Sequence, residues 1–297
     1  RGQKLYIANY DPASSSIPPV VYDPTAGTVG NLAATAGTMP LDCSIIGLFR
    51  DRLLLAAGRF WYMSRMGTPT DFDYTKLALG DSGGAVYDQN TQTGTVGQDI
   101  TAVATRTPDY VVFGCNSSLW LLRGDPAYSG IIEQVSHTVG ILDRFAICRT
   151  PEDALVFLDR NALWAFLPGS NSEPQNISGE VLPSDLRDID PNQVDVILRF
   201  DPILNGVLIF LRNISGNTST HYFFDWKDKS FWPIRFPIAQ DVVTANYHSN
   251  SLRNGLMLGC SDGYIRMMDR TVYNDDGTNF DSYMVYGPLG SGQSDLI

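Results

Sequence analysis

The segment YVVFGCNSSLWLLRGD, residues 110–125, decides the fold class of this chain. It opens with a run of apolar and aromatic residues, turns through Gly, Cys, Asn and Ser, and continues into a second apolar run that contains Trp120. Short apolar runs bounded by turn residues are typical of strands joined as a hairpin. We therefore predict an antiparallel hairpin with an aromatic residue near the start of its second strand.

The same pattern recurs four times elsewhere in the 297 residues, at 52–65, 154–169, 221–236 and 255–270. Aligned on their turns, five aromatic residues fall at similar places: Trp61, Trp120, Trp164, Trp232 and Tyr264. Their irregular spacing is centred near the ~40–50 residues of a propeller blade. The sequence predicts an all-β fold, a β-propeller of about six blades (five to seven allowed) with long inserted loops. The aromatic residues are expected to pack between blades rather than to serve as stacking platforms for sugars or bases.

The domain organisation follows from composition along the chain. Residues 1–41 are expected to form an N-terminal strand, at 5–10, and a loop rich in Pro, Ser and Gly that closes the ring or acts as a linker. Residues 42–270 should form the blades. Residues 271–297 read as a closing strand or the start of a further domain, and the chain as a segment of a longer polypeptide.

Charge and composition limit the classes of function. The 21 Lys and Arg against 32 Asp and Glu give a net charge of −11, with no basic run, so tight binding to DNA or RNA is not expected. An acidic wall past which DNA slides remains compatible with this charge. The four cysteines lack C-x-x-C spacing, and no metal or cofactor site is predicted. No apolar run approaches the ~20 residues that a membrane helix needs.

The stretch GDSGG, residues 80–84, matches the nucleophile signature of trypsin-like serine proteases. A serine nucleophile needs a histidine base, and in that family the histidine precedes the serine. Here His137, His221 and His248 all follow Ser82. Glycine, Asp and Ser are also the residues that a turn requires, so we interpret the stretch as a turn and predict no catalytic residue.

One segment carries a family resemblance. After the strand that starts at Arg52-Leu53 and the aromatic strand with Trp61, the chain has the pattern S-R-x-G-x-P-x-x-F, formed by Ser64, Arg65, Gly67, Pro69 and Phe72. This segment resembles β-propeller proteins of tailed-phage tails, namely the tail nozzle or tubular proteins of short-tailed phages and related head-completion or stabilisation proteins. The later strand–turn–strand units are similar in style.

The resemblance implies a structural protein of the virion tail, assembled in the host cytoplasm, and not an enzyme. Copies would form a ring, a homohexamer, around part of the channel that conducts the genome. Its partners would be further copies of itself, the adaptor or portal, and tail fibre or plug proteins. Genome DNA would pass without sequence-specific binding, and no membrane span is expected.

Five residues are candidates for contacts with partners: Arg65, Asp71, Phe72, Asp81 and Ser82. They lie in the loop of the resemblance segment and at the start of the polar loop 80–99, and long loops in a β domain are often functional. Within its own loop, Arg65 is expected to pair with Asp71 or with Asp73, and Phe72 to tuck back under the loop.

Other functions remain open on the sequence. A carbohydrate-binding or carbohydrate-cleaving propeller would need paired carboxylates, and Asp185, Asp188 and Asp190, or Asp275 with Asp276, are available. A propeller acting as an interaction scaffold would share the fold. Calcium binding at the NDDG or SDG turns lacks a full ligand series.

Overall fold

The computed structural model describes residues 3–269, with gaps at 10, 12, 77–82, 107–108, 169–172, 216–219, 237–240 and 251–253, together with residues 274, 277 and 279. The predicted closing strand within 271–297 lies almost entirely outside the described residues.

The first third of the chain forms two blades. Blade 1 consists of β1 (Leu5–Ile7), β2 (Val20–Asp23) and β3 (Thr28–Asn31), and it is followed by the short β4 (Ala36–Gly37). Blade 2 consists of β5 (Ile45–Phe49), β6 (Arg52–Ala57), β7 (Phe60–Met63) and, after β8 (Asp71–Phe72), of β9 (Val86–Tyr87). Strands β4 and β8 pair in parallel and tie the connection between the two blades to a loop of blade 2.

The remaining strands form four more blades. Blade 3 consists of β10 (Ile100–Arg106), β11 (Tyr110–Cys115), β12 (Leu119–Arg123) and β13 (Ile131–Ser136). Blade 4 consists of β14 (Ile147–Arg149), β15 (Leu155–Leu158), β16 (Leu163–Phe166) and β17 (Gln175–Asn176). Blade 5 consists of β18 (Val194–Asp201), β19 (Gly206–Asn213), β20 (His221–Asp225) and β21 (Phe231–Ile234). Blade 6 consists of β22 (Val242–Ser249), β23 (Asn254–Cys260) and β24 (Ile265–Met267).

The prediction of an all-β propeller of about six blades is confirmed. The part of the chain that the structure describes contains no α-helix, only two 3₁₀ turns at Tyr74–Lys76 and Ser184–Leu186. Within every blade, neighbouring strands of the sheet pair antiparallel, and the first strands of neighbouring blades contact one another at β5 and β10, at β14 and β18, and at β18 and β22, which makes them the inner strands. The inner strands therefore all run in the same direction along the propeller axis.

The hydrophobic core lies between the faces of adjacent blades, as propeller packing requires. One cluster joins blades 3, 4 and 5, a second joins blades 2 and 3, a third joins blades 5 and 6, and a fourth joins blades 1 and 2. The buried strands β11, β15 and β19 are apolar along almost their whole length because both of their faces are covered.

The alignment of the five aromatic residues is correct for three of them. Trp61, Trp120 and Trp164 lie in the third strands β7, β12 and β16, and all three pack into the core clusters. Trp232 lies in the outer strand β21 and is 52% exposed, and Tyr264 lies in the turn before β24 and is 67% exposed. The expected packing role is wrong for these two. The segment 221–236 supplies the third and fourth strands of its blade, because the second strand is the largely apolar β19.

The N-terminal region differs from the predicted loop or linker. Residues 20–31 form a hairpin whose turn is held by Asp23, since its Oδ1 accepts the backbone N–H groups of Thr25 and Ala26 at 2.9 and 3.1 Å. Strand β1 pairs with this hairpin, so the region forms a blade of its own. The prolines and glycines that suggested a loop mark the turns between these short strands.

The described part of the polar loop 80–99 is anchored to blade 3 of the same chain. The hydroxyls of Thr91 and Thr93 both donate to the Pro126 carbonyl, at 2.7 and 2.9 Å, and the Ile132 N–H donates to the Thr93 carbonyl at 2.8 Å. Val96 is buried in the core between blades 2 and 3. This stretch closes the outer side of the blade pair rather than standing free in solvent.

Candidate functional site: the axial cavity and the Arg52 node

A cavity of about 380 Å³, the axial cavity, lies along the first strands of blades 1, 2 and 3. It is lined by residues 6–8, residues 44–46, Val103, Arg144 and Phe145. These residues come from the inner strands of blades 1, 2 and 3 and from the segment that leads into β14 of blade 4. The cavity has the size of a small-molecule site, which makes it far too narrow for a nucleic-acid duplex.

Arg144 supplies the positive charge of the cavity rim. Its Nη1 donates to the Ser44 carbonyl at 3.3 Å, and its guanidinium lies 5.2 Å from the centroid of the Phe145 ring. The Phe145 carbonyl in turn accepts the backbone N–H of Leu198 in β18 at 2.9 Å, which fixes this segment to blade 5. Within the described residues, Arg144 forms no ion pair with a carboxylate.

The carboxyl group of Asp143 lies next to this rim. Burial raises the pKa of Asp143, and the Asp195 carboxylate raises this pKa further, while the Arg144 guanidinium partly offsets the shift. Asp195 itself is 3.4 Å from the guanidinium of Arg212. Of the residues that line the cavity, Arg144 is the one with a charged side chain.

Sequence reasoning missed this cavity, although one signal points to its walls. An aspartate stands at or just before the inner strands of five blades: Asp42, Asp99, Asp143, Asp195 and Asp241. An Arg or His stands near the end of the same strands: Arg50, Arg106, Arg149, Arg199 and His248. In the sequence, this repeat therefore indicates where each of these five inner strands begins and ends.

A second site, the Arg52 node, consists of Arg52, Ser64, Gly84 and Asp125. The Arg52 side chain is fully buried. Its Nη1 donates to the carbonyls of Ser64, at 3.1 Å, and of Gly84, and its Nη2 lies 3.8 Å from Oδ1 of Asp125. Because Asp125 belongs to the turn between β12 and β13, this one side chain joins blade 2, its outer loop and blade 3.

The resemblance segment folds around the Arg52 node. The Leu53 N–H donates to Oγ of Ser64 at 2.9 Å, and the Gly67 N–H donates to the Asp51 carbonyl at 2.8 Å. Gly67 has a φ of 70°, a conformation that favours glycine. Ser64 and Gly67 of the S-R-x-G-x-P-x-x-F pattern are thus explained by a local hydrogen bond and by the backbone conformation of the loop.

The GDSGG stretch contributes carbonyl groups to the same region. The Gly84 carbonyl accepts from Arg52, and the Gly83 carbonyl accepts the Met66 N–H at 3.0 Å. Two candidate contact residues, Asp81 and Ser82, lie outside the described residues. The part of the stretch that is described therefore holds a loop in place.

The other three candidate contact residues can be located. The Arg65 N–H donates to the Asp71 carbonyl at 2.8 Å, so these two residues close their loop through the backbone. Phe72 is fully buried among residues of blades 1 and 2, as expected from its tucking under the loop. Its assignment as a contact residue is corrected, because a buried side chain cannot reach a partner.

Two of the carboxylates considered for carbohydrate cleavage accept hydrogen bonds within the chain. Oδ2 of Asp185 accepts the Tyr222 hydroxyl at 2.9 Å, and Oδ1 of Asp190 accepts the Asn192 N–H at 2.9 Å. Asp275 and Asp276 lie outside the described residues. Within the described ranges, no group of three or more His, Cys, Asp or Glu side chains is placed to hold a metal ion. All four cysteines are buried and unpaired.

His221 is the one buried histidine of the chain. The backbone N–H of Leu211 donates to its Nδ1 at 3.1 Å, and its Nε2 lies 3.6 Å from Oδ1 of Asp241. The rings of Phe210 and Phe236 lie against the imidazole. Burial lowers the pKa of His221 to about 4. The ring is therefore neutral at pH 7 and joins blade 5 to the start of blade 6.

Solved structures share the fold of this chain. One is the extracellular domain of a hybrid two-component system from B. thetaiotaomicron, with a TM-score of 0.53 and 13% identity over 92% of this chain and 34% of that one. Another is virginiamycin B lyase from Staphylococcus aureus in complex with quinupristin, with a TM-score of 0.49 and 10% identity over 90% of this chain and 87% of that one. This chain spans about a third of the length of the sensor domain. At these identities the likeness concerns the fold alone.

No family model matches the sequence, and no curated protein matches it. In the described part of the chain, no helix has the length and apolar character to cross a membrane.

Proposed function

We propose that this chain is a structural subunit of a virion, a β-propeller of the tail nozzle or tail tube of a short-tailed phage. In this role, copies assemble as a ring, a homohexamer, and the walls between and along the subunits form part of the channel through which DNA is ejected. The adaptor or portal and the tail fibre or plug proteins are the proposed neighbours.

The Arg52 node carries this proposal. The segment that resembles phage tail propellers is also the segment that builds this buried contact between blades 2 and 3. A buried arginine bonded to carbonyls and to a carboxylate makes a loop rigid, because removing it would leave several buried acceptors unpaired. A fixed loop is what a subunit of a mechanical assembly requires on a surface that meets its neighbours.

The shape and charge of the chain also fit this role. The axial cavity of one propeller is too small for a duplex, so DNA would pass between subunits of a ring and not through a blade assembly. A net charge of −11 makes the wall of such a channel repel phosphates, so the genome would not adhere to it.

The test is the assembly state of the purified chain. Negative-stain imaging and mass photometry over a range of concentrations should show closed rings with a central hole, with a mass of six subunits. Arg65 and Asp81 are two proposed contact residues with charged side chains, so the double variant R65E/D81K, which reverses both charges, should reduce the yield of rings. The control R160E changes an exposed arginine on the turn between β15 and β16 and should leave the yield unchanged. A chain that stays monomeric at every concentration and also fails to join rings on an added portal or adaptor would refute the proposal.

A further inference from the structure

The walls of the axial cavity have the composition of a small-ligand site. Apart from Ser44, Arg144 and the hydroxyl of Tyr6, the lining is aliphatic or aromatic. Two large apolar side chains of the lining are also partly open to solvent, since Ile7 is 41% and Phe145 is 40% exposed. A concave apolar surface with a few polar groups is the usual form of a site that binds a small molecule.

The charge of the rim indicates which molecule fits. Arg144 is exposed, and one of its five N–H donors is used by the Ser44 carbonyl. The remaining donors form a planar fork that matches the two oxygens of a carboxylate. The stack on Phe145 and the bond to Ser44 hold this fork at the rim, so a ligand would not have to order the side chain.

The surrounding residues set limits on the ligand. Asp143 is the carboxyl group adjacent to Arg144 along the chain, so a multiply charged anion would meet repulsion there. A single negative charge on an apolar body avoids most of this repulsion and also gains from the apolar walls. Cations are disfavoured by Arg144 itself, and a neutral apolar molecule would leave the guanidinium without an anionic partner.

We propose that the axial cavity binds a small monocarboxylate with an apolar or aromatic body, with the carboxylate on Arg144 and the body between Ile45, Val103 and Phe145. The inference goes beyond the proposed function. The cavity belongs to a single chain, so binding can be measured whether or not rings assemble.

The test uses isothermal titration calorimetry with hydrocinnamate and with its neutral isostere hydrocinnamamide. The wild-type chain should bind hydrocinnamate saturably with one site per chain. Its affinity for the amide should be lower by about tenfold or more. R144Q should weaken hydrocinnamate binding by about tenfold, because it removes a charge-assisted pair. The control R160Q should change the affinity less than twofold.

A second variant tests the place of the apolar body. Val103→Phe fills the cavity from β10 and should abolish the binding of both probes, with circular dichroism confirming that the chain remains folded. Equal affinities for the acid and the amide would overturn the proposal. So would R144Q binding that equals that of the wild type, retained binding in folded V103F, or the absence of saturable hydrocinnamate binding.

Discussion

Replacing His221 with Asn should remove one defined step from the acid unfolding of this protein. In the native chain, Nδ1 of His221 accepts the Leu211 N–H, so a second ring proton would place two donors against each other. The Asp241 carboxylate near Nε2 would attract an imidazolium, but the buried position between two phenylalanine rings opposes the charge more strongly. Asn can offer its Oδ1 to the same N–H and does not titrate.

The magnitude follows from the shift in pKa. The pKa of His221 is lowered from 6.5 to about 4 on folding. A lowered pKa means that the unfolded chain binds the proton first as the pH falls. The stability that the neutral, buried His221 ring gives to the folded state is therefore fully present above pH 6.5 and is lost as the pH falls toward 4. The loss amounts to about 2 kcal/mol at pH 5 and approaches about 3 kcal/mol below pH 4.

The assay is urea unfolding of the wild type and of H221N at pH 7.5 and pH 5. At pH 7.5 the variant should be less stable by about 1–3 kcal/mol, because a smaller side chain leaves space beside the rings. At pH 5 that deficit should shrink by about 2 kcal/mol, since only the wild type meets the cost of protonation. H137N changes an exposed histidine and should follow the wild type at both pH values.

Comparing the two chains at each pH cancels the carboxyl groups that they share. A deficit of H221N that is equal at both pH values, within about 0.5 kcal/mol, would refute the reasoning. Titration of the His221 ring protons by NMR gives a direct check, because this ring should titrate near pH 4.

Three further predictions concern stability. Replacing Arg52 with Met should lower the free energy of unfolding by about 3–5 kcal/mol, because it leaves the partners of the Arg52 node unpaired; an unchanged urea midpoint would contradict this. Gly37→Ala should lower the melting temperature and Gly30→Ala should not. At Gly37, where φ is 71°, a Cβ would lie 2.1 Å from a backbone oxygen, whereas at Gly30 it would meet nothing within 4 Å, and equal melting temperatures would argue against this contact. Burial raises the pKa of Asp88, so D88N should stabilise the chain by up to about 1 kcal/mol at pH 7, with a smaller gain at lower pH as the wild-type carboxyl group takes up its proton; a gain that grows on acidification would be inconsistent.

The hairpins of the blades could be predicted because they are local. The segments 110–125 and 154–169 contain both strands and the turn, and their apolar runs are buried as the pattern indicates. Blade 5 was harder to assign because its second and third strands are separated by the longer connection 214–220. The alignment of the sequence therefore uses the hairpin 221–236, which is β20 and β21, where the second and third strands of blade 5 are β19 and β20. Blade 1 was missed because its strands are short and their residues are largely exposed.

The candidate sites depend on contacts that the sequence does not display. The axial cavity combines residues 6–8, residues 44–46, Val103 and the pair 144–145, which meet through the packing of three neighbouring blades and the segment before β14. The burial of Arg52 was equally hidden, since an arginine at the start of a strand is normally exposed and its acceptors lie 12 and 32 residues further along the chain.

Each blade is made from one continuous stretch of chain, and outside the blades residues 36–37 pair with residues 71–72. Hydrogen bonds between strands are thus confined to short separations in sequence, which favours fast, local folding. A nascent chain leaving the ribosome can complete each blade soon after its last strand appears. The four core clusters join blades that are neighbours along the chain, so the apolar face of each of these blades is covered once the next blade has been synthesised. The growing chain thus exposes to chaperones and to aggregation mainly the apolar face of the blade that was completed last.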